Sequence, residues 1–304
     1  KDVDDNFSVT EFRKVFVGNS LSGNGKHILS FFSKFRNGIV SGAGNEVEKS
    51  RFKTVTSFAS RFWYAGLDSQ KHNGKILFTK VIVDRSDYET CYQVNDPTSE
   101  LISDLLDSDG GEINIPEAFG IRKLHPFGAN LIVFADNGIW TITGVDGVFK
   151  PTQFSIKRVS SIGILNQDSF VSVEGIPFWW SKTGIHTVQS DQITGEPSEV
   201  SITENTIKTF WEKIGVLNQL GAKGVYDEVN REIVWMYSGL DEVKDTKYNR
   251  FLVLNLELSS FTPWEIKDPD DGTKEVVGIF FNPFITSIEN KANLLVDGKT
   301  VKQG

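Results

Sequence analysis

Four histidines and one cysteine are the side chains here best suited to hold a metal or move a proton. His27, His72, His125 and His186 stand far apart, and none lies within ligand spacing of another or of Cys91. A zinc centre built on them has no local support. A Ser-His-Asp hydrolase of the α/β type would announce its nucleophile with a G-x-S-x-G elbow, and the chain has none. Glycine-lysine pairs at 25–26, 74–75 and 298–299 suggest phosphate loops. None combines a glycine five residues upstream with a Ser or Thr after the lysine, so all three read as turns.

Carboxylates offer the other chemistry. "DSDGGE" (107–112) and "DPDDG" (268–272) alternate acidic positions as a calcium loop does, but neither runs on to the closing glutamate of an EF-hand. Both are expected to be solvated acidic turns. "FADNGIWT" (134–141) approaches the Asp-box of sialidase-like propellers, S-x-D-x-G-x-x-W. Phe134 replaces its serine, and Trp140 falls one place early. No cluster of arginines for a sugar carboxylate is recognisable, and WD40 and kelch signatures are absent. Glycosidase chemistry needs two opposed carboxylates at fixed separation. The residues therefore predict no catalytic, cofactor-binding or metal site, no cofactor, and a protein that is not an enzyme.

The elements around these residues are strands. "LHPFGANLIVFADNGIWTITG" (124–144) sets apolar runs either side of Asp136-Asn137-Gly138, a tight reversal expected to exploit the positive φ that Asn and Gly tolerate. Related meanders recur: "FKTVTSFASRFWYAG" (52–66) with "GKILFTKVIVD" (74–84), and "DSFVSVEGIPFWWSKTGIHTVQSD" (168–191) with turns at Glu174-Gly175 and Thr183-Gly184. "GAKGVYDEVNREIVWMYSG" (221–239) leads to "YNRFLVLNLELSSFTPWEI" (248–266), and a partial copy covers 274–303. Repeated antiparallel meanders of three or four strands are what propeller blades require. The fold class expected is mainly β, a propeller-like array of antiparallel meanders with one or two inserted helices. Residues 1–51 read as an irregular β segment, belonging to the first blade or a neighbouring domain. Residues 52–304 read as the propeller, with a final blade that is incomplete.

Two helices interrupt the pattern. "SITENTIKTFWEKIG" (201–215) opens with the capping box Ser201 and Glu204, then places Ile207, Phe210, Trp211 and Ile214 on one helical face. Asp96-Pro97 starts a shorter helix through Leu105.

Composition supports this reading. With 23 Phe, 7 Trp and 6 Tyr in 304 residues the chain is rich in side chains that favour sheets. Its net charge of −8 argues against a surface that grips phosphates, since such surfaces cluster Lys and Arg. Lys34-Phe35-Arg36 is a small basic exception that reads as a solvated strand end. One cysteine excludes an intrachain disulfide framework, and no apolar run reaches membrane-spanning length. No signal-peptide pattern opens the sequence. It begins at Lys1 and has its single methionine at Met236, as expected of a fragment, a processed product or a region lacking its start.

An ordered series of segments resembles the tail nozzle, or tail tubular protein B, family of short-tailed bacteriophages. It comprises Ser60-Arg61-Phe62-Trp63-Tyr64-Ala65-Gly66, "DGGEINIPEA" (109–118), "LIVFADNGIWTITG" (131–144), "FSIKRVSSIGI" (154–164), "PFWWSKTGI" (177–185) and "SSFTPWEI" (259–266). The resemblance implies a β-propeller structural protein in the virion tail. It would self-associate into a ring, a hexamer in that family, beneath the portal and the tail adaptor, and conduct double-stranded DNA out of the capsid without holding it. Stable nucleic-acid binding and membrane insertion are not expected. The alternative class is a carbohydrate-binding or carbohydrate-cleaving propeller, and a generic interaction scaffold is the third.

Overall fold

The computed structural model describes residues 52–67, 73–91, 106–191, 195–239 and 250–265, with the backbone of three further short strands between 280 and 302. The expected N-terminal β segment, the helix at 96–105 and the acidic turn at 268–272 lie outside the described residues. The chain divides into two compact units, Lys1–Ser161 and Ile162–Gly304.

Each unit holds two four-stranded antiparallel sheets. In the first unit, β1 (Thr54–Phe58), β2 (Arg61–Ala65), β3 (Lys75–Phe78) and β4 (Gly111–Asn114) form one sheet. The strands β5 (Ile121–Phe127), β6 (Asn130–Ala135), β7 (Gly138–Gly144) and β8 (Phe154–Ser160) form the next. The second unit pairs β9 (Val171–Val173), β10 (Ile176–Trp180), β11 (Ile185–Ser190) and β12 (Pro197–Ser201). Its second sheet is β13 (Lys223–Asp227), β14 (Glu232–Tyr237), β15 (Arg250–Asn255) and β16 (Ser260–Glu265). A three-stranded sheet follows from β17 (Phe280–Phe281), β18 (Asn293–Val296) and β19 (Lys299–Lys302). Within each sheet the strands pair in sequence order, so the fold is mainly β and consists of successive meanders. The first three copies read from the sequence each gain a fourth strand, β4, β8 and β12, where short or polar segments conceal the pairing, whereas 221–239 and 248–266 already span all four strands of their sheet.

The pleat explains the packing, because alternate residues face opposite sides. Trp63 and Ala65 of β2, Ile76 and Phe78 of β3, Leu131, Val133 and Ala135 of β6, and Trp140 and Ile142 of β7 share the core of the first unit. The intervening residues of β6, Ile132 and Phe134, are fully buried as well, so this strand is covered on both faces. In the second unit Trp180, Ile185, Ile233, Trp235, Tyr237, Leu252 and Leu254 form the core, while Val234, Met236, Phe251 and Val253 are buried on the opposite faces. Each buried tryptophan removes about 200 Å² from water, on the order of 5 kcal/mol before entropy is charged. Gly224 lets β13 approach β9: a Cβ there would stand 2.5 Å from Val171 Cγ2 and 2.6 Å from Trp235 Cδ1.

The first strands of adjacent sheets lie side by side in both units, β1 beside β5 and β9 beside β13. The amide of Leu124 donates to Thr54 Oγ1 across the first of these seams, 3.1 Å.

The hairpins use three chemistries. Ala59 and Ser60, between β1 and β2, have φ of 49° and 56°; Glu174 and Gly175, between β9 and β10, have 50° and 85°. Two central residues with positive φ mark the type I′ reversal that suits strand twist. The reversal between β6 and β7 is where the sequence places it, with Ala135 paired to Gly138. Its chemistry differs, because neither Asp136 nor Asn137 takes a positive φ. Their side chains anchor it instead. Asp136 accepts two hydrogen bonds from the Arg122 guanidinium, at 2.6 and 2.9 Å. Asn137 accepts from the Phe119 amide and donates to the Glu117 carbonyl. The third type has four residues and opens on Asp227 or Asn255, whose side chains each accept from amides two and three positions on.

The helix expected over 201–215 is much shorter. Ser201 and the residues before it belong to β12, where Ser201 pairs with His186. Turns follow, then α1 (Lys208–Trp211) and, after Gly215, α2 (Val216–Leu220). Thr203 is recruited to the sheet, accepting from the Ile185 amide, and this holds the first turn out of helical conformation. The amide of Glu204 still donates to Ser201 Oγ, 3.3 Å. Trp211 and Ile214 are buried, and Ile207 and Phe210 pack against the same core.

Candidate functional site

The residues singled out by type are dispersed. His27, His72 and the glycine-lysine pair at 25–26 lie outside the described residues, as does Gly298. His125 lies on β5, half-buried, and Cys91 is a buried thiol outside any disulfide. Gly74 sits against carbonyls: a Cβ there would stand 2.4 Å from the Ile115 oxygen, and the neighbouring Lys75 pairs with Glu112 at 2.7 Å. Oxygens at that glycine would repel a phosphate. Among the described residues no three His, Cys, Asp or Glu side chains converge as a metal site would require, and no helix is long and apolar enough to cross a membrane.

The turn at 107–112 is organised around a cation of the chain's own. Arg61, only 1% exposed, donates through Nη1 to the carbonyls of Thr79 (2.7 Å), Ser108 (3.2 Å) and Asp109 (2.6 Å), and through Nη2 to that of Asp107. Its guanidinium also lies 5.7 Å from the Phe78 ring centre and 5.8 Å from that of Phe149. Burial pulls its pKa down to about 10, against the opposing pull of Asp109 and Asp107. It therefore remains charged at neutral pH. Asp109 is buried, with its carboxylate accepting from the Leu106 amide, while Asp107 faces outward to Lys150 and Thr152.

A second constellation forms at one end of the β9–β12 sheet. Pairing of His186 with Ser201, and of Val188 with Glu199, puts His186 and Glu199 on one sheet face. Glu199 Oε1 contacts His186 Nδ1, and Thr183 Oγ1 stands 3.0 Å from His186 Nε2. Thr183 Oγ1 is also 3.0 Å from Ser181 Oγ. The imidazole is buried and stacks on Trp179 at an interplanar angle of 29°, centres 5.8 Å apart, whereas Thr183 is exposed at the β10–β11 turn. That turn is fixed by its own hydroxyl: Ser181 Oγ donates to the Gly184 carbonyl and accepts from the Thr183 amide. Gly184, at φ of +150°, admits no side chain, since a Cβ would meet Thr203 Oγ1 at 1.9 Å.

Sequence reasoning saw His186 only as an isolated histidine and did not connect it to Thr183 or Glu199. The available signal was the strand register: a histidine two residues beyond a turn glycine reaches back to that turn. Glu199 could be found only by recognising β12 as the partner of β11.

No protein-family model matches the chain, and no curated protein matches it. Among solved structures it is similar to a protein of Bacteroides fragilis described as exported, at 10% identity and a TM-score of 0.34, covering 80% of this chain and 65% of that one. It is similar at the same identity and TM-score to the extracellular domain of a B. thetaiotaomicron protein ascribed to a one-component system, covering 83% of this chain and 32% of that one. The chain thus spans about two thirds of the first and about a third of the second.

Proposed function

We propose that this chain is a structural virion protein of a phage tail, whose sheets are blades in the wall of a nozzle through which DNA leaves the capsid. Support comes first from the ordered segments that resemble the nozzle family. They fall in chain order on strands of the successive sheets: Arg61–Ala65 on β2, 111–114 on β4, 131–144 on β6 and β7, 154–160 on β8, 177–184 on β10 and its turn, and 260–265 on β16. The observation that carries the reading is burial on both faces of central strands in successive four-stranded meanders. A blade with a neighbour on each side requires this burial. The first strands set side by side are those that would stand nearest a common axis.

The proposed partners are further copies of the chain in a ring, a hexamer by resemblance, and the adaptor and other proteins of the tail. Double-stranded DNA would pass without stable attachment, and the net charge of −8 suits a wall that does not bind phosphate. The Asp-box-like residues favour the wall over a carbohydrate site, because the Asp136 carboxylate is engaged by Arg122.

Imaging the purified full chain at high concentration by negative stain and cryo-EM tests the proposal. Six-fold rings with an open lumen are the expected result. A monodisperse monomer with a carboxylate-lined central pocket would replace this reading with the carbohydrate one.

A further inference from the structure

We propose that Thr183, His186 and Glu199 form a hydroxyl-activating site that takes small carboxylic esters, a chemistry independent of the wall function. Three observations carry it. The imidazole is buried and held at both nitrogens, by Glu199 at Nδ1 and by Thr183 at Nε2. The group at the far end is the hydroxyl of a residue exposed on a turn that hydroxyl and backbone bonds make rigid. Trp179 stacks on the ring and limits its rotation.

The proton inventory follows from these contacts. A Glu199 carboxylate that accepts from Nδ1–H selects the tautomer whose Nε2 is an acceptor, and the single Thr183 Oγ1–H, which Ser181 Oγ also faces, can turn to that nitrogen. This is the order of carboxylate, imidazole and hydroxyl that activates a nucleophile, and it is recognised by geometry and not by sequence position. Thr183 is the nucleophile, His186 the base, and Glu199 a positioning residue.

In the reaction, Thr183 Oγ1 bonds to the ester carbonyl carbon as its proton passes to His186 Nε2. The bond from carbon to the leaving oxygen breaks, and the leaving alkoxide takes the proton from Nε2. The products are an alcohol and a threonyl ester. Water, deprotonated by His186, then hydrolyses that ester to the carboxylic acid and restores the hydroxyl. Thr183 lies on an exposed turn, so small, activated esters are the substrates expected, and bulky or unactivated ones are not.

The test treats the full chain with an alkyl fluorophosphonate and maps the adduct by peptide mass spectrometry. The probe forms an Oγ1–P bond, releases fluoride from phosphorus, and sends the hydroxyl proton to His186. The expected result is one adduct on Thr183, retained in Thr183→Ser and lost in Thr183→Val. Because that position is exposed, both variants should fold. Glu199→Gln should slow labelling at least about tenfold, a fraction of what general-base assistance supplies, and Glu199→Asp should recover part of the rate. An unlabelled chain, or labelling that persists in Thr183→Val, overturns the proposal, as does an unchanged rate in folded Glu199→Gln.

Discussion

Arg61 places a charge in the interior and meets its two terminal nitrogens with backbone carbonyls contributed by the β3 end and the 107–109 turn. Losing the guanidinium takes the charged donor from the buried carbonyls of Thr79 and Asp109, while that of Ser108 keeps the Val81 amide, at about 1–3 kcal/mol for each group that water does not reach. Arg61→Ala should therefore lower unfolding stability by at least about 3 kcal/mol, measured from the urea midpoint at unchanged slope. Arg61→Lys should recover only part, because an ammonium cannot present the planar fork. The same contacts make millimolar calcium a poor stabiliser of this turn, and a melting temperature unmoved by calcium or chelator is expected. Asp87 supplies a pH dependence. Burial pushes its carboxyl upward, but hydrogen bonds from Lys80 and the amides of Val83 and Asp84 outweigh this, and the net shift is down. A carboxyl depressed on folding contributes stability that is complete above the ordinary aspartate range, ~4. That contribution is lost as pH falls through the lower folded value. Asp87→Asn should lower the melting temperature at neutral pH and flatten its fall between about pH 5 and 2.

Single turns and packed faces decide the elements. Ser60 holds φ of 56° with a side chain that gains nothing from it, and such a conformation costs a non-glycine residue roughly 1 kcal/mol. Ser60→Gly should raise stability by about 0.5–1 kcal/mol in thermal or urea unfolding, whereas Gly224→Val should lower it by about 1–3 kcal/mol by forcing β13 away from β9. The strands with apolar runs, β6, β7, β10, β14 and β15, were legible because pattern and burial agree. The fourth strands β4, β8 and β12 were not read as parts of their meanders. β12, read as Pro-Ser-Glu-Val-Ser, has no apolar alternation and exists because β11 offers it an edge. The helix at 201–215 was overextended for the same reason: its apolar spacing is real and buries Trp211, but pairing claims Ser201 and Thr203 first. The cluster at Thr183 escaped because it depends on that same unrecognised strand.

For the whole molecule, the net charge of −8 leads to a prediction on DNA. A gel-shift titration at physiological salt should give no stable complex with duplex DNA, since a chain of net negative charge repels the duplex over about 8 Å. Sub-micromolar binding with steep salt dependence would mark a protein that grips DNA. The strand order has a separate consequence, for how the chain comes into being. Each four-stranded sheet is complete within one continuous stretch, the first between residues 54 and 114 and the second between 121 and 160. No strand in these sheets waits for a partner made much later, so loop closure stays cheap and pairing can keep pace with synthesis. A ribosome releasing this chain would hand over finished sheets one at a time, and within each unit the first would offer its apolar face as the template for the second.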